Sequence, residues 1–181
     1  MLAVCRTVAG MVHTHVTADD SSAAAAVTAV VITVSDRSSR GERADTSGPR
    51  AVELLSEHGY AVSSTVIPDG AESVATAIRA ALADGARVII TSGGTGVGPR
   101  DLTPEGTRQV LSREVPGVAE ELRREGARHT KMAVLSRGLV GIADNALVVN
   151  LPGSTKAVEE GLAVVVPLIV HILEQLDGGD H

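Results

Sequence analysis

Short apolar runs separated by amphipathic stretches constrain what this chain can fold into more than any other feature. The first, VTAVVITVS at 27–35, is β-branched and nearly continuous. Similar runs follow at 61–67, 88–91 and 147–151. Runs of this kind suit strands buried on both faces of a parallel sheet, where neither side chain direction meets water. The intervening segments carry helix signals. Thr46 or Ser47 is placed to cap a helix with Pro49 in its first turn, and Gly59 sits where a C′ glycine belongs. Ala51, Val52, Leu54 and Leu55 give that helix its apolar face. Across 72–84, Val74, Ala77, Ile78, Ala81 and Leu82 recur at i, i+3, i+4, i+7 and i+8, and Gly85 ends the run. Helical stretches are expected near 104–111 and 116–125, with a helical tail from Ser154 that Pro167 should kink or restart. Strands alternating with helices mean right-handed crossovers. The expected fold is α/β: a single-domain, doubly wound, mostly parallel sheet with helices on both faces.

Composition bears on what such a domain can do. Its 181 residues suffice for one domain with a real core. Phe and Trp are absent, so aliphatic side chains must fill that core. A net charge of −6 argues against nucleic acid, whose phosphates need clustered Lys and Arg. It leaves open a small anion held by local amides. Cys5 is the only cysteine, which excludes an intramolecular disulfide and a thiolate cluster. His13 and His15 could share a strand face, but no metal role is assigned to them. No apolar run approaches the roughly 20 residues a membrane helix needs, and the N-terminus lacks a signal-peptide pattern. A cytoplasmic protein is expected. Residues 1–25, ending in polar and small residues, read as a poorly ordered extension ahead of a folded domain at 26–181.

The stretch TSGGTGVGPRDLTPEG at 91–106 is the most informative for function. Gly93, Gly94, Gly96 and Gly98 are more glycines than a turn requires. The loop follows the third strand, at the end where doubly wound sheets bind ligands. Successive amides there can form an anion nest, with the Thr95 hydroxyl as a further donor. A Walker A loop is excluded, because Gly98-Pro99-Arg100 replaces the required Gly-Lys-Ser/Thr. Asp101 faces such an anion only through a cation, which suggests Mg²⁺ shared between carboxylates and substrate phosphate. Alternatively it caps a turn, accepting from the amide of Thr103 or a neighbour. Asp69, in IPDG, follows the second strand and has the same two readings. Arg100 either meets a phosphate or pairs with Glu105 at the surface. Ser35-Asp36 ends the first strand and Asn150-Leu151-Pro152-Gly153-Ser154 follows the last, so one rim gathers small, polar and acidic groups.

These segments, in order, carry a family resemblance. VITVSDR, DTSGPRA, IPDG, TSGGTGVGPRDLTPEGT, PGVAEELR, LSRGLVGI and NLPGSTKA closely resemble the MoaB/Mog family of molybdenum-cofactor biosynthesis proteins, from about residue 28 onward. The GGTG…RDxTP string is shared with molybdopterin molybdenumtransferase domains and CinA proteins; the short single domain favours MoaB/Mog. The resemblance implies adenylylation of molybdopterin by ATP with Mg²⁺, giving adenylyl-molybdopterin and pyrophosphate. It implies a homotrimer or hexamer and a downstream molybdenumtransferase partner. It makes Asp69 and Asp101 the catalytic and metal-holding pair. Gly93, Gly94, Thr95 and Gly96 match the substrate-holding loop, Thr33, Ser35 and Asp36 the first strand end, and Asn150, Pro152, Gly153 and Ser154 the last. One departure stands out: the adenylyltransferase branch tends to carry a basic residue after Gly-Ile, whereas this chain has Ala143-Asp144. NLPGSTKA also leans towards MoaB, which keeps open a non-catalytic molybdopterin carrier. A CinA-like nucleotide hydrolase is a third reading.

Overall fold

A computed structural model describes residues 26–179. The extension read at 1–25, with Cys5, His13 and His15, lies outside the described residues. Strands β1 (Thr28–Val34), β2 (Ala61–Ile67), β3 (Val88–Ser92), β4 (Arg113–Glu114), β5 (Val140–Ala143) and β6 (Ala146–Leu151) form one six-stranded sheet. Its order is β2-β1-β3-β6-β5-β4. The first four strands in that order are parallel, while β5 and β4 run antiparallel at one edge. The α/β reading therefore holds, and the antiparallel edge is what makes the sheet mostly rather than wholly parallel.

Alternation along the strands divides the core. Ala29 and Val31 of β1, Val88 and Ile90 of β3, and Leu147 and Val149 of β6 face one side. There they pack on α2 (Ser47–Glu57), α5 (Pro116–His129) and α6 (Thr155–Leu176). Ile32, Val34, Ile89 and Val148 face the other side, against α3 (Ala71–Ala83) and against Val110 and Leu111, which follow α4 (Thr103–Arg108). Burying each such aliphatic side chain contributes about 1.5–3 kcal/mol, so strands covered on both faces need no aromatic residues to make a core.

Several local expectations are corrected. Thr46 holds the N-cap position of α2, as expected, but its side chain makes no capping bond; Asp45 Oδ1 accepts instead from the Ser47 and Gly48 amides, each at 3.1 Å. The Thr33 hydroxyl holds the other carboxylate oxygen of Asp45 at 2.7 Å, which selects it over its neighbours. Pro167 does not restart α6, which runs through it. The carbonyl it leaves without a donor belongs to Ala163, which is exposed and can bond water instead. A short helix, α1 (Asp36–Ser39), and the β4–β5 pair were not foreseen. Among the described residues no helix is long and apolar enough to cross a membrane.

β1 lies between β2 and β3, so the chain leaves it towards one edge and returns towards the other. The crevice at the carboxyl ends of β1 and β3 is the switch point at which such sheets take ligands.

Candidate functional site

Backbone geometry at the end of β3 requires glycine. Gly93 has φ +110° and Gly94 +62°, conformations that L side chains avoid. Gly93 is also wedged between neighbouring elements. Its amide donates to the Leu151 carbonyl at 3.0 Å, and its carbonyl accepts from the Thr103 hydroxyl at 2.9 Å. The loop after β6 comes equally close: a Cβ on Gly153 would lie 3.2 Å from the Gly93 Cα. Ser154 then caps α6, accepting from the Ala157 amide at 3.2 Å.

A pocket of about 620 Å³ opens at this rim. Thr33, Ser35, Gly93, Gly94, Thr95, Gly96, Asp101, Asn150, Pro152, Gly153 and Ser154 all line it. Asp36, Asp69 and Arg100 stand beside it rather than in its wall. Asp36 and Asp69 bind each other's backbones: the Asp36 amide donates to Asp69 Oδ2 at 2.8 Å, and the Asp69 amide to Asp36 Oδ1 at 3.1 Å. This locks the ends of β1 and β2 together. Asp69 Oδ1 still points to the loop, 3.5 Å from where a Gly94 Cβ would be. Asp101 Oδ2 accepts from the Gly98 amide at 2.8 Å, so the turn-capping role is real, with Gly98 in place of Thr103.

Two assigned residues have structural partners. Asn150 is buried, its amide donating to Thr91 and Thr107 hydroxyls at 2.9 Å each while its carbonyl accepts from the Leu139 amide at 3.1 Å. That side chain staples β3, α4 and β6 beneath the loop and has little capacity left for a ligand. Thr33, likewise, spends its hydroxyl proton on Asp45. Arg100 does not pair with Glu105. It donates to Asp36 Oδ2 at 2.7 Å and to the Asp69 carbonyl at 3.2 Å.

Glu105 belongs instead to Arg137, the residue that sequence reasoning missed. Arg137 Nε donates to the Gly96 carbonyl at 2.7 Å, and its two terminal nitrogens reach Glu105 and the Asp101 carbonyl. One planar fork thus clamps both ends of the glycine loop. The Arg137 guanidinium also holds the Glu105 carboxyl below its usual range. The pair therefore supports the fold above the ordinary glutamate pKa and loses that support as pH falls through the lowered value. Arg137→Ala should speed hydrogen exchange at the amides of residues 94–98 and lower Tm by a few degrees, about 1–2 kcal/mol for a domain this size. Wild-type exchange rates in that variant would contradict the clamp.

No cluster of three or more His, Cys, Asp or Glu able to hold a metal occurs among the described residues. The donor set nonetheless fits Mg²⁺, which takes one or two carboxylates and fills its remaining positions with water and substrate phosphate. Asp69 and Asp101 each have one carboxylate oxygen committed to an amide and one uncommitted to those bonds.

Residues 30–171 match the family described as "Probable molybdopterin binding domain". A Pyrococcus furiosus molybdopterin adenylyltransferase is 38% identical over 149 residues, covering 80% of this chain and 88% of that protein. The chain belongs to the MoaB/Mog family. A structure of the molybdopterin biosynthesis Mog protein from Mycobacterium ulcerans superposes with a TM-score of 0.81 at 40% identity, covering 86% of this chain and 99% of that one. A Synechococcus elongatus molybdenum cofactor biosynthesis bifunctional protein is 41% identical over 89% of this chain and 51% of its own length. The chain spans about half, or less, of the bifunctional relatives it matches. The departure from the MoaB/Mog adenylyltransferase pattern, Ala143-Asp144, spans the last residue of β5 and the first residue of the two-residue turn to β6. That turn is at the amino end of β6, about 16 Å along the strand from the glycine loop. It does not line the pocket.

Proposed function

We propose that this protein adenylylates molybdopterin, with ATP as co-substrate and Mg²⁺ as the metal. The observation that carries the reading is the pocket at the switch point, where a glycine loop, the start of α6 and Asp101 meet in one wall. Family membership supplies the substrate class. An oxygen of the pterin's phosphate monoester attacks the α-phosphorus of ATP; the new P–O bond forms as the bond to the bridging oxygen breaks and pyrophosphate leaves. The monoester is already ionised near pH 7, which agrees with a pocket lacking a nucleophile–base pair. Such transfers depend on positioning and charge neutralisation. Loop amides and the Thr95 hydroxyl would hold phosphate oxygens, Arg137 would keep the loop in shape, and Asp69 and Asp101 would hold Mg²⁺. When bound, that ion offsets the charge gathering on the phosphates.

A bifunctional relative supports a second activity in the same pathway as the neighbouring step, and a molybdenumtransferase partner follows from the resemblance. Assembly as a homotrimer or hexamer in the cytoplasm belongs to the same reading; exposed Val66 and Val170 are apolar surface available to it. The direct test is incubation with molybdopterin, ATP and Mg²⁺, following adenylyl-molybdopterin. No product under conditions where the Pyrococcus relative turns over would defeat the proposal. Pterin binding without product would favour the carrier.

Arg100 stands at the mouth of this site on Asp36, its side chain 66% exposed. Arg100→Ala should weaken substrate binding or turnover about tenfold, roughly 1.4 kcal/mol. Stability should barely change, because exposed ion pairs contribute about 0–1 kcal/mol. Wild-type kinetics would remove Arg100 from the site.

A further inference from the structure

The pocket has two chemically different ends. Towards the glycine loop and Ser154 it presents amides and hydroxyls, which suit phosphate. Away from them, its walls come from α5, the 3₁₀ turn at Lys131–Leu135 and α6, with Leu122, Gly126, Ala133 and Gly161 among the lining residues. Glu160 is in this second wall. It lies six residues beyond the cap of α6, about 9 Å along the helix at 1.5 Å per residue.

This glutamate is in an unusual state. Its side chain is 16% exposed, and among the described residues no hydrogen bond reaches its buried Oε1. The nitrogens that approach it are His129 Nδ1 at 3.5 Å and Lys156 Nζ at 3.7 Å, both long for a hydrogen bond. A buried charged acceptor without a donor is costly, and so calls for an explanation. A ligand that brings N–H groups supplies one.

We infer that Glu160 is the specificity residue for the pterin ring, its carboxylate accepting from the ring's 2-amino group and the adjacent N3–H. The inference rests on the pterin substrate proposed above. The edge of a 2-amino-4-oxopyrimidine offers two neighbouring donors, which match the two oxygens of a carboxylate. Adenine offers one donor beside an acceptor, so the same carboxylate would attract half of that edge and repel the other. A phosphate is equally unwelcome beside a negative charge. Glu160 therefore fixes the orientation of the substrate, with the ring towards α5 and the phosphate towards the glycine loop.

Equilibrium binding to the full chain tests this, using molybdopterin and a stable pair of probes: 6-hydroxymethylpterin monophosphate and its 2-oxo lumazine counterpart. Wild-type protein should prefer the pterin over the lumazine by about tenfold or more. Glu160→Gln should lower affinity for molybdopterin and the pterin probe by about 10–100-fold, leave ATP affinity unchanged without lowering Tm, and abolish the preference for the 2-amino ring. Equal pterin affinity in wild type and Glu160→Gln, or a loss of ATP affinity alone, would overturn the inference. So would equal wild-type binding of pterin and lumazine, a comparison that needs no variant. Failure of the wild type to bind molybdopterin or either probe would instead defeat the pterin reading itself.

Discussion

Asp69→Asn and Asp101→Asn should each slow adenylyl transfer by about 10²–10³-fold, roughly 2.7–4 kcal/mol of transition-state stabilisation. The substitution removes charge while keeping shape. Asp101 Oδ2 accepts from the Gly98 amide, and Asp69 Oδ2 from the Asp36 amide. An asparagine carbonyl can accept both bonds, so the turn and the β1–β2 junction should survive with a Tm close to wild type. What disappears is the negative charge that would hold the metal against the substrate phosphates. The expected pattern is a large loss in single-turnover rate with a smaller loss in molybdopterin affinity. If both variants turn over like the wild type, the aspartates are turn caps and nothing more. If neither variant nor the wild type turns over but all bind the pterin, the carrier reading prevails.

The division between what was legible in the sequence and what was not follows the range of the interactions. Strands β1, β3 and β6 were readable because burial on both faces leaves only apolar residues to choose from. The ends of α2 and α3 were marked by Gly59 and Gly85, whose φ values of +85° and +82° suit glycine at C′. The glycine loop was legible for the same local reason. By contrast, β4 holds only Arg113 and Glu114, both exposed, and joins β5 through backbone bonds that carry no side-chain signature.

Arg137 shows the limit most clearly at the site. LSRGLVGI contains no local hint that its arginine is a clamp, because the acceptors lie 32 to 41 residues earlier. Asn150, which lines the pocket, shows a limit of another kind. It stood in a motif that marks the ligand rim, yet its side chain points beneath the loop to Thr91, Thr107 and Leu139. The motif points to the rim, whereas the side-chain direction at each of its positions depends on the alternation of β6. Glu160 was invisible as a site residue for a related reason. Its position within α6 reads as one more charged helical residue until the packing of α5 covers it.

The second large effect belongs to Gly93. Gly93→Ala should lower stability by about 2–6 kcal/mol, combining 1–3 for an L residue held at φ +110° with 1–3 for steric overlap. The overlap is with an atom that cannot move aside. A Cβ on Gly93 would fall inside 3.0 Å of the Val34 carbonyl oxygen, which belongs to the backbone of β1 in the centre of the sheet. Relief requires the loop to leave its place, breaking the hydrogen bonds that the Gly93 amide donates to the Leu151 carbonyl and the Thr103 hydroxyl donates to the Gly93 carbonyl. Tm should therefore fall by about 5–20 °C, and substrate affinity should fall with it, because the displaced amides are those assigned to phosphate. Gly117→Ala is the matched control: it lies in the first turn of α5 with nothing within 4 Å of an added Cβ. Alanine there should be neutral or stabilising by up to about 1 kcal/mol. Wild-type Tm and binding in Gly93→Ala would mean that the loop tolerates a side chain, and that the tight junction of β1, β3 and β6 does not hold the amides in place.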